Sequence, residues 1–294
     1  MKNAMLIVNP SSGGEKAKEF EKLVVEKLSQ LFTDVVILAT EKAGDATNFA
    51  RQAAIENYDS VFAMGGDGTV NEVINGLAEQ KSPPKFGFFP LGTVNDLARA
   101  LHISLDPKKA IDELNLSQTK KIDLGKINDQ YFMNVVAIGL IPEAINHVSA
   151  EEKTRFGKLA YFISGLKQLS GNQSYPFQLC LDDEKEQIES STVIVSLTNS
   201  VGGFEQLFPE AKVDDGLLHL IYLKDKNWLE TVRSVPDLLK GIDATNDNVA
   251  YRTFREGRIA LENKLSIKTN VDGDEGCSLP IHLKVLPKQL EVYC

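Results

Sequence analysis

The chain has 294 residues, of which 43% are hydrophobic and 25% are charged, which is typical of a globular protein. A chain of this length buries a core without disulfides or structural metals, which excludes a disordered segment, a collagen-like fibre and a small disulfide-rich scaffold. Its 41 acidic and 32 basic residues give a net charge of −9, which argues against broad nucleic-acid binding because phosphate neutralisation requires a basic surface.

The cysteines and the apolar segments indicate a reducing compartment and no membrane span. Cys180, Cys277 and Cys294 are widely spaced and odd in number, which argues against a disulfide framework or a zinc site. The N-terminal apolar run is too short for a signal peptide, and no stretch approaches the ~18–20 apolar residues of a transmembrane helix. We therefore expect a cytoplasmic protein with, at most, peripheral contact with the inner membrane face.

The first hundred residues alternate strands with helices. Apolar runs predict buried strands at residues 6–8, 35–38, 61–64 and 86–89. Helical spacing of apolar side chains predicts helices near residues 17–31, 46–54, 70–77 and 94–101. Four such units predict an α/β domain with a mostly parallel sheet and helices on both faces. Ligands of such sheets bind at the carboxyl ends of the strands, where the glycine-rich loops of this chain lie.

The second half has a different pattern, with short alternating segments and turns. Strands are predicted at residues 122–127, 177–181, 193–197, 218–222, 258–262, 265–269 and 281–286, with one helix near 158–166. This pattern predicts a β-rich second domain of the sandwich or barrel type. We expect the first domain to cover residues 1–121 and the second 122–286, with residues 287–294 returning to the first.

A glycine-rich loop, Gly66-Asp67-Gly68-Thr69, joins the third strand to its helix. Glycines let the backbone approach a phosphate closely, and the helix N-terminus directs free N–H groups at it. Asp67 would repel a phosphate, and a bridging Mg²⁺ resolves that conflict. Taken alone, the segment is equally consistent with a tight turn in which Asp67 caps the helix.

Further polar loops at the same predicted edge favour the phosphate interpretation. The loop from Gly92 to Asp96 follows the fourth strand and adds a second acid. Asn9 and residues 11–14 follow the first strand, and Thr40 follows the second. Together they predict a site for nucleotide phosphates and Mg²⁺, although neither a Walker A motif nor a dinucleotide fingerprint is present.

Two acidic segments stand out in the second half. Asp272-Gly273-Asp274 is by itself most simply a hairpin turn, but both acids would face the same way if the segment were extended. Residues 209–217 contain Asp215-Gly216, which is typical of a turn before a strand.

The paired loops resemble the diacylglycerol kinase catalytic domain, and most closely that of the soluble bacterial diacylglycerol kinases and related lipid kinases. That group also resembles sphingosine and ceramide kinases, whereas Gly-Gly-Asp-Gly alone is shared with NAD kinases and phosphofructokinases. The resemblance spans nearly the whole chain. It rests on residues 65–69 with Asn71-Glu72, residues 90–93 with residues 95–99, and residues 122–125, 131–134, 157–161, 215–217 and 272–274.

The resemblance implies an ATP- and Mg²⁺-dependent lipid kinase that transfers the γ-phosphoryl group to a lipid hydroxyl, most simply from ATP to diacylglycerol to give phosphatidic acid. The implied nucleotide-binding residues are Asn9, Pro10, Ser11, Ser12, Gly13, Thr40, Gly66, Asp67, Gly68, Thr69, Val70, Asn71, Glu72 and Thr93. The implied catalytic Mg²⁺ ligands are Asp67, Asp96 and Asp274, and those of a structural Mg²⁺ are Asp215 and the carbonyls of Lys212 and Leu217.

The catalytic base is implied to be Asp272 or Asp274, and the sequence does not separate them. Two departures from the family pattern concern the substrate side of the site: Asp274 stands where the family usually has Glu, and residues 139–143 differ from the usual stretch.

Two other functions stay open, a kinase of a soluble alcohol such as NAD and a lipid-binding regulator without activity. The expected partner is a lipid at a membrane surface rather than a nucleic acid, and a homodimer also stays open. The basic stretch 153–158 is either a membrane contact or, by preference, a solvated loop.

Overall fold

The computed structural model describes residues 2–12, 16–139, 174–203, 207–224, 249–263 and 265–294. Within these ranges the strands form one sheet of ten strands and one of six. The described helices are α1 (Lys16–Leu31), α2 (Asp45–Ile55), α3 (Asp67–Leu77), α4 (Asp96–Ala100) and α5 (Pro107–Glu113). The described strands are β1 (Asn3–Val8), β2 (Asp34–Ala39), β3 (Ser60–Gly65), β4 (Lys85–Pro90), β5 (Thr119–Ile127), β6 (Gln130–Phe132), β7 (Val135–Gly139), β8 (Tyr175–Leu181), β9 (Glu184–Ser190), β10 (Thr192–Ser196), β11 (Leu218–Leu223), β12 (Val249–Phe254), β13 (Glu256–Leu261), β14 (Lys268–Val271), β15 (Asp274–Ser278) and β16 (Ile281–Tyr293).

The first half contains the predicted parallel sheet with helices on both faces. Strands β2, β1, β3 and β4 lie side by side in that order and are parallel. Successive residues of β1 point to opposite faces, so that Leu6 packs with Val24 and Leu28 of α1, whereas Ile7 packs with the cluster that includes Val73 of α3. The strands are therefore buried on both faces, which explains their continuous apolar sequences.

The last strand of the chain connects the two halves. Val292 of β16 pairs with Phe86 of β4 in the parallel direction, while β16 also pairs with β5 and β13 in the antiparallel direction. Beyond β13, strands β8 and β9 complete the row. The parallel sheet therefore continues into antiparallel strands of the second half, and the domain division at residues 121 and 122 stays a prediction.

The second half is an antiparallel sandwich, as the sequence predicted. Its second sheet has the order β12-β11-β10-β7-β14-β15. Phe177 of β8 and Ile259 of β13 share one apolar core with Val136, Val195 and Leu220 of the second sheet. The helix predicted near residues 158–166 lies outside the described residues. Among the residues that the structure does describe, none of the helices combines the length and the apolar character needed to cross a membrane.

Candidate phosphate-binding and catalytic site

The two glycine-rich loops of the α/β half are in contact. A Cβ atom built on Gly66 would lie 3.5 Å from the Cα atom of Gly92. A Cβ atom on Gly92 would lie 2.6 Å from Asn95 Oδ1 and 2.9 Å from Asp67 Oδ2, which is closer than side-chain atoms approach. Only glycine at position 92 therefore lets the loop after β4 pack against the start of α3.

Asn95 holds this contact in place. Its backbone N–H donates to Asp67 Oδ2 at 2.9 Å, and its side chain spans Gly92, accepting from the backbone N–H at 3.0 Å and donating to the carbonyl at 2.9 Å. Asn95 has a φ of +54°, a left-handed conformation that asparagine adopts more readily than most residues. The sequence motif thus becomes a single surface at the carboxyl ends of β3 and β4.

The loop after β1 joins the same surface. Asn9 Nδ2 donates to Thr69 Oγ1 at 3.0 Å, and Ser12 Oγ accepts from the backbone N–H of Gly66 at 3.2 Å. The backbone N–H of Thr40 donates to the carbonyl of Val8 at 2.8 Å, which keeps the end of β2 beside this loop. Pro10, Ser11 and Thr93 are exposed, whereas Gly13 lies outside the described residues.

The start of α3 is open to an anion. Gly66 precedes the helix and has no side chain, so the N-cap residue makes no capping hydrogen bond to the first-turn N–H groups. Gly68 is exposed, and a Cβ atom built on it would meet nothing within 4 Å. The helix dipole adds positive potential here, which suits a phosphate group.

Asp67 has the electrostatics of a cation ligand. Burial raises the pKa of its carboxyl group, and the nearby Asp96 carboxylate raises this pKa further. The hydrogen bond from the backbone N–H of Asn95 lowers the pKa but does not cancel the rise. A divalent cation would relieve both unfavourable effects, and carboxylate oxygens are the ligands that Mg²⁺ prefers. Asp67 therefore fits the implied Mg²⁺.

Asp96 is bound by the second half of the molecule. Its buried carboxylate accepts from Ser200 Oγ at 2.7 Å, from the N–H of Gly202 at 2.7 Å and from that of Gly203 at 2.8 Å. These three donors occupy both oxygens and fasten the loop after β10 to the start of α4. The role of Asp96 as an Mg²⁺ ligand stays a prediction.

Asp272 and Asp274 lie on the hairpin between β14 and β15 but have different surroundings. Asp272 and Gly273 have φ values of +50° and +100°, the left-handed backbone of a tight hairpin turn, so the segment is the turn that its sequence most simply indicates and is not extended. Asp274 is exposed, and within the described residues no hydrogen bond or ion pair reaches its carboxylate.

The Asp272 carboxylate accepts four hydrogen bonds. Oδ2 accepts from Asn71 Nδ2 at 2.6 Å and from the N–H of Met133 at 2.8 Å, and Oδ1 accepts from the N–H groups of Asn134 at 3.0 Å and Val135 at 2.8 Å. Burial raises the pKa of Asp272 to about 6, and the four donors act in the opposite direction. The carboxylate is therefore ionised at neutral pH and joins the hairpin to α3 and β7.

Comparisons with known proteins agree with this geometry. Residues 3–127 match the diacylglycerol kinase catalytic domain, and residues 134–294 match the YegS C-terminal NAD kinase beta sandwich-like domain. A Streptococcus pneumoniae protein provisionally named a lipid kinase is 42% identical over 293 residues, which cover 100% of this chain and 98% of that protein. A Bacillus subtilis diacylglycerol kinase is 37% identical over 299 residues, with 98% of each chain covered.

The chain belongs to the diacylglycerol kinase family. A crystal structure of a Bacillus anthracis protein, also provisionally named a diacylglycerol kinase, has a TM-score of 0.87 and is 28% identical, covering 100% of this chain and 95% of that one. The resemblance inferred from the paired loops and the two-part fold are both confirmed, and the chain is a lipid kinase by family.

Three of the residues that the family resemblance assigned to the nucleotide have their side chains elsewhere. Glu72 Oε2 accepts from the N–H of Ala46 at 3.2 Å, at the start of α2. Asn71 binds Asp272, and Val70 is buried in the core under the sheet. Their role toward ATP stays a prediction, although the structure shows that each already has a function in packing or in joining elements.

The turn assigned to a structural Mg²⁺ contains a partner that sequence reasoning missed. Asp215 Oδ2 accepts from the N–H of Lys212 at 2.9 Å and contacts His219 Nε2 at 3.0 Å, and Asp215 Oδ1 accepts from the N–H of Leu217 at 3.0 Å. His219 is four residues beyond Asp215, on β11. Its position in an alternating strand was the only available signal, and that pattern does not identify a partner.

Proposed function

We propose that this chain transfers the γ-phosphoryl group of ATP to a lipid hydroxyl, with diacylglycerol as substrate and phosphatidic acid as product. The observation that carries the proposal is the contact between the loops at Gly66 and Gly92, which places the second glycine-rich loop beside the open N-terminus of α3 and the Asp67 carboxylate. Relatives named diacylglycerol kinase cover almost the whole chain, which supports the substrate class.

The phosphates of ATP would lie at the first turn of α3. Gly68 leaves room for them, and the exposed N–H groups supply donors without requiring a lysine. The loop containing Asn9 and Ser12, which is fixed to Thr69 and Gly66, would form the adjoining wall. Such a site binds a triphosphate through backbone N–H groups and the positive end of the helix dipole rather than through a Walker A loop.

Asp67 would hold Mg²⁺ at the phosphates, with Asp274 as a candidate second ligand. When bound, the cation neutralises charge on the phosphates and stabilises the transferring group. The chain contributes positioning: Asn95 fixes the orientation of the Asp67 carboxylate through its backbone N–H. Phosphoryl transfer depends mainly on such positioning and charge neutralisation.

Asp274 is proposed to accept the proton of the lipid hydroxyl as its oxygen attacks. Within the described residues its carboxylate is free of donors, whereas both oxygens of Asp272 accept N–H groups. Asp272 would then act as a positioning residue that fixes the hairpin. Two buried polar atoms beside the hairpin, Asn134 Oδ1 and Asn270 Nδ2, lack a partner among the described residues, which suits a polar ligand or ordered water here.

The lipid requires contact with a membrane surface, and we propose a peripheral one at the inner face of the membrane. The stretch 153–158, which the sequence offers as a basic contact, lies outside the described residues. A homodimer stays an open alternative.

The proposal is tested by supplying labelled ATP and Mg²⁺ with diacylglycerol in mixed micelles, with NAD, or with no acceptor. Labelled phosphatidic acid from the micelles is the expected result. Phosphorylated NAD would instead establish a kinase of a soluble alcohol. Absence of product with every acceptor, from protein that is folded by circular dichroism, would favour a lipid-binding regulator.

A further inference from the structure

A chain of three side chains lies behind the turn before β11. Asp215 Oδ2 is 3.0 Å from His219 Nε2, and His219 Nδ1 is 2.5 Å from the hydroxyl of Tyr251 on β12. His219 is only 2% exposed, so its ring nitrogens depend on these two partners. A carboxylate only accepts, and Nε2 therefore carries a proton in this arrangement, while Nδ1 is hydrogen-bonded to the Tyr251 hydroxyl.

Tyr251 is suited to the role of donor. Burial raises its pKa to about 12, with the charges of Asp215 and Glu210 adding to the rise, so its hydroxyl keeps its proton at neutral pH. Both ring nitrogens of His219 therefore have a hydrogen-bond partner.

The same turn does not fit the structural Mg²⁺ that the family implies. Mg²⁺ requires a near-octahedral set of oxygen ligands at about 2.0–2.1 Å. Asp215 Oδ2 already accepts from the N–H of Lys212 and from His219, Oδ1 accepts from Leu217, and the Lys212 carbonyl accepts from the N–H of Asp215 at 3.4 Å.

Asp123, the acid beside this turn, also has both carboxylate oxygens in hydrogen bonds. Asp123 is buried, and its oxygens accept from the N–H of Gly216 at 2.6 Å and that of Lys288 at 2.7 Å. The donors that surround both carboxylates are N–H groups, which is the reverse of what a cation site needs.

We propose that the Tyr251–His219–Asp215 chain holds this turn without a metal ion, in the place where the family is expected to use Mg²⁺. The turn matters for the whole fold because Asp123 connects it to β5 and to the bend in β16 near Lys288, where the two halves meet. The inference concerns only the turn, so it does not depend on the proposed substrate.

The test is thermal unfolding of the full chain without nucleotide, after dialysis against EDTA and after return of Mg²⁺, Ca²⁺ or Mn²⁺. We expect the same unfolding midpoint in each case and less than one divalent ion per chain by elemental analysis. We expect His219→Leu and Tyr251→Phe each to lower the midpoint by about 2–4 °C, because a buried hydrogen-bonding group loses its partner. His219→Gln, which restores an N–H donor toward Asp215, should recover part of the loss.

Tyr222→Phe is the matched control on the neighbouring strand. Its hydroxyl donates to Glu186 at 2.8 Å, and Glu186 keeps Arg252 as a second partner when that hydroxyl is removed. The midpoint should therefore fall less than in Tyr251→Phe. A wild-type midpoint that EDTA lowers and Mg²⁺ restores, with no such response in Asp215→Asn, would overturn the inference. Unchanged midpoints in both His219→Leu and Tyr251→Phe would overturn it as well.

Discussion

Replacing Asp272 by alanine should destabilise the protein far more than replacing Asp274. Asp272→Ala leaves four N–H donors without their acceptor, and hydrogen bonds to a charged group contribute about 1.5–3 kcal/mol each. Because Asp272 is only partly buried, water replaces some of these bonds, and we expect a loss of about 3–5 kcal/mol in the free energy of unfolding. Asp274→Ala should stay within about 0.5 kcal/mol of the wild type, since that side chain is exposed and makes no hydrogen bond to a described residue.

Replacing either Asp272 or Asp274 should lower the kinase activity, although only the Asp272 variant should lose stability. Asp274→Asn should lower kcat by about 10²-fold or more, the usual scale for loss of a general base. Asp272→Ala should also lower kcat, because the hairpin that carries Asp274 loses its attachment to α3 and β7. The measurements are urea unfolding and initial rates on diacylglycerol micelles. Asp274→Glu, which restores the length usual in the family, should keep its activity.

Asp182 provides a control for a turn acid that accepts backbone N–H groups. It occupies a left-handed position in the hairpin between β8 and β9, and its carboxylate accepts from the N–H groups of Arg255 and Glu256. Asp182→Ala should therefore lose stability and keep its kcat. Equal stability losses in Asp272→Ala and Asp274→Ala would refute the distinction between a positioning acid and a catalytic one.

Three further predictions concern the loops of the α/β half and the loop of the second half that binds Asp96. Asp67→Asn should lose most activity and its Mg²⁺ dependence while its circular dichroism stays that of the wild type; turnover near the wild-type value at saturating Mg²⁺ would remove Asp67 from the site. Gly92→Ala places a Cβ atom 2.9 Å from Asp67 Oδ2 on the other loop, so the loops must separate, and kcat/KM for ATP should fall by about 10²-fold; an unchanged value would show that the loop contact is dispensable. Ser200→Ala removes one of the three donors to Asp96 and should cost about 1.5–3 kcal/mol in urea unfolding, and an unchanged midpoint would show that water replaces this bond.

The sequence predicted the α/β half well because its strands are buried on both faces. Continuous apolar runs then identify the strands, and each predicted strand–helix unit has its counterpart in β1 to β4 and α1 to α4. Helix α5 was missed although its signal was present: the Asp106 side chain caps it by accepting from the N–H of Lys109, and Pro107 opens its first turn. Strands β9 and β12 were missed because their exposed polar side chains obscure the alternation.

The site was predictable only as far as the loops themselves. Their glycines and acids lie at strand ends, so the contact between Gly66 and Gly92 follows from the topology of a parallel sheet. The partners of the acids do not follow in this way, because the donors to Asp272 come from backbone N–H groups that any residue carries. Backbone donors leave no trace in a sequence motif.

Two acids of the family motifs each lie on one half of the molecule and accept hydrogen bonds from the other half. Asp96 begins a helix of the α/β half and is bound by the loop at residues 200–203 of the second half. Asp272 lies on a hairpin of the second half and is bound by Asn71 of α3 and by residues 133–135. Removing the donors to either carboxylate would leave a charged group without its partners, at a cost of several kcal/mol, so both acids contribute to the stability of the fold. Loss of activity on mutating an acid of these motifs therefore does not identify it as a metal ligand or a base unless the stability of the variant is unchanged.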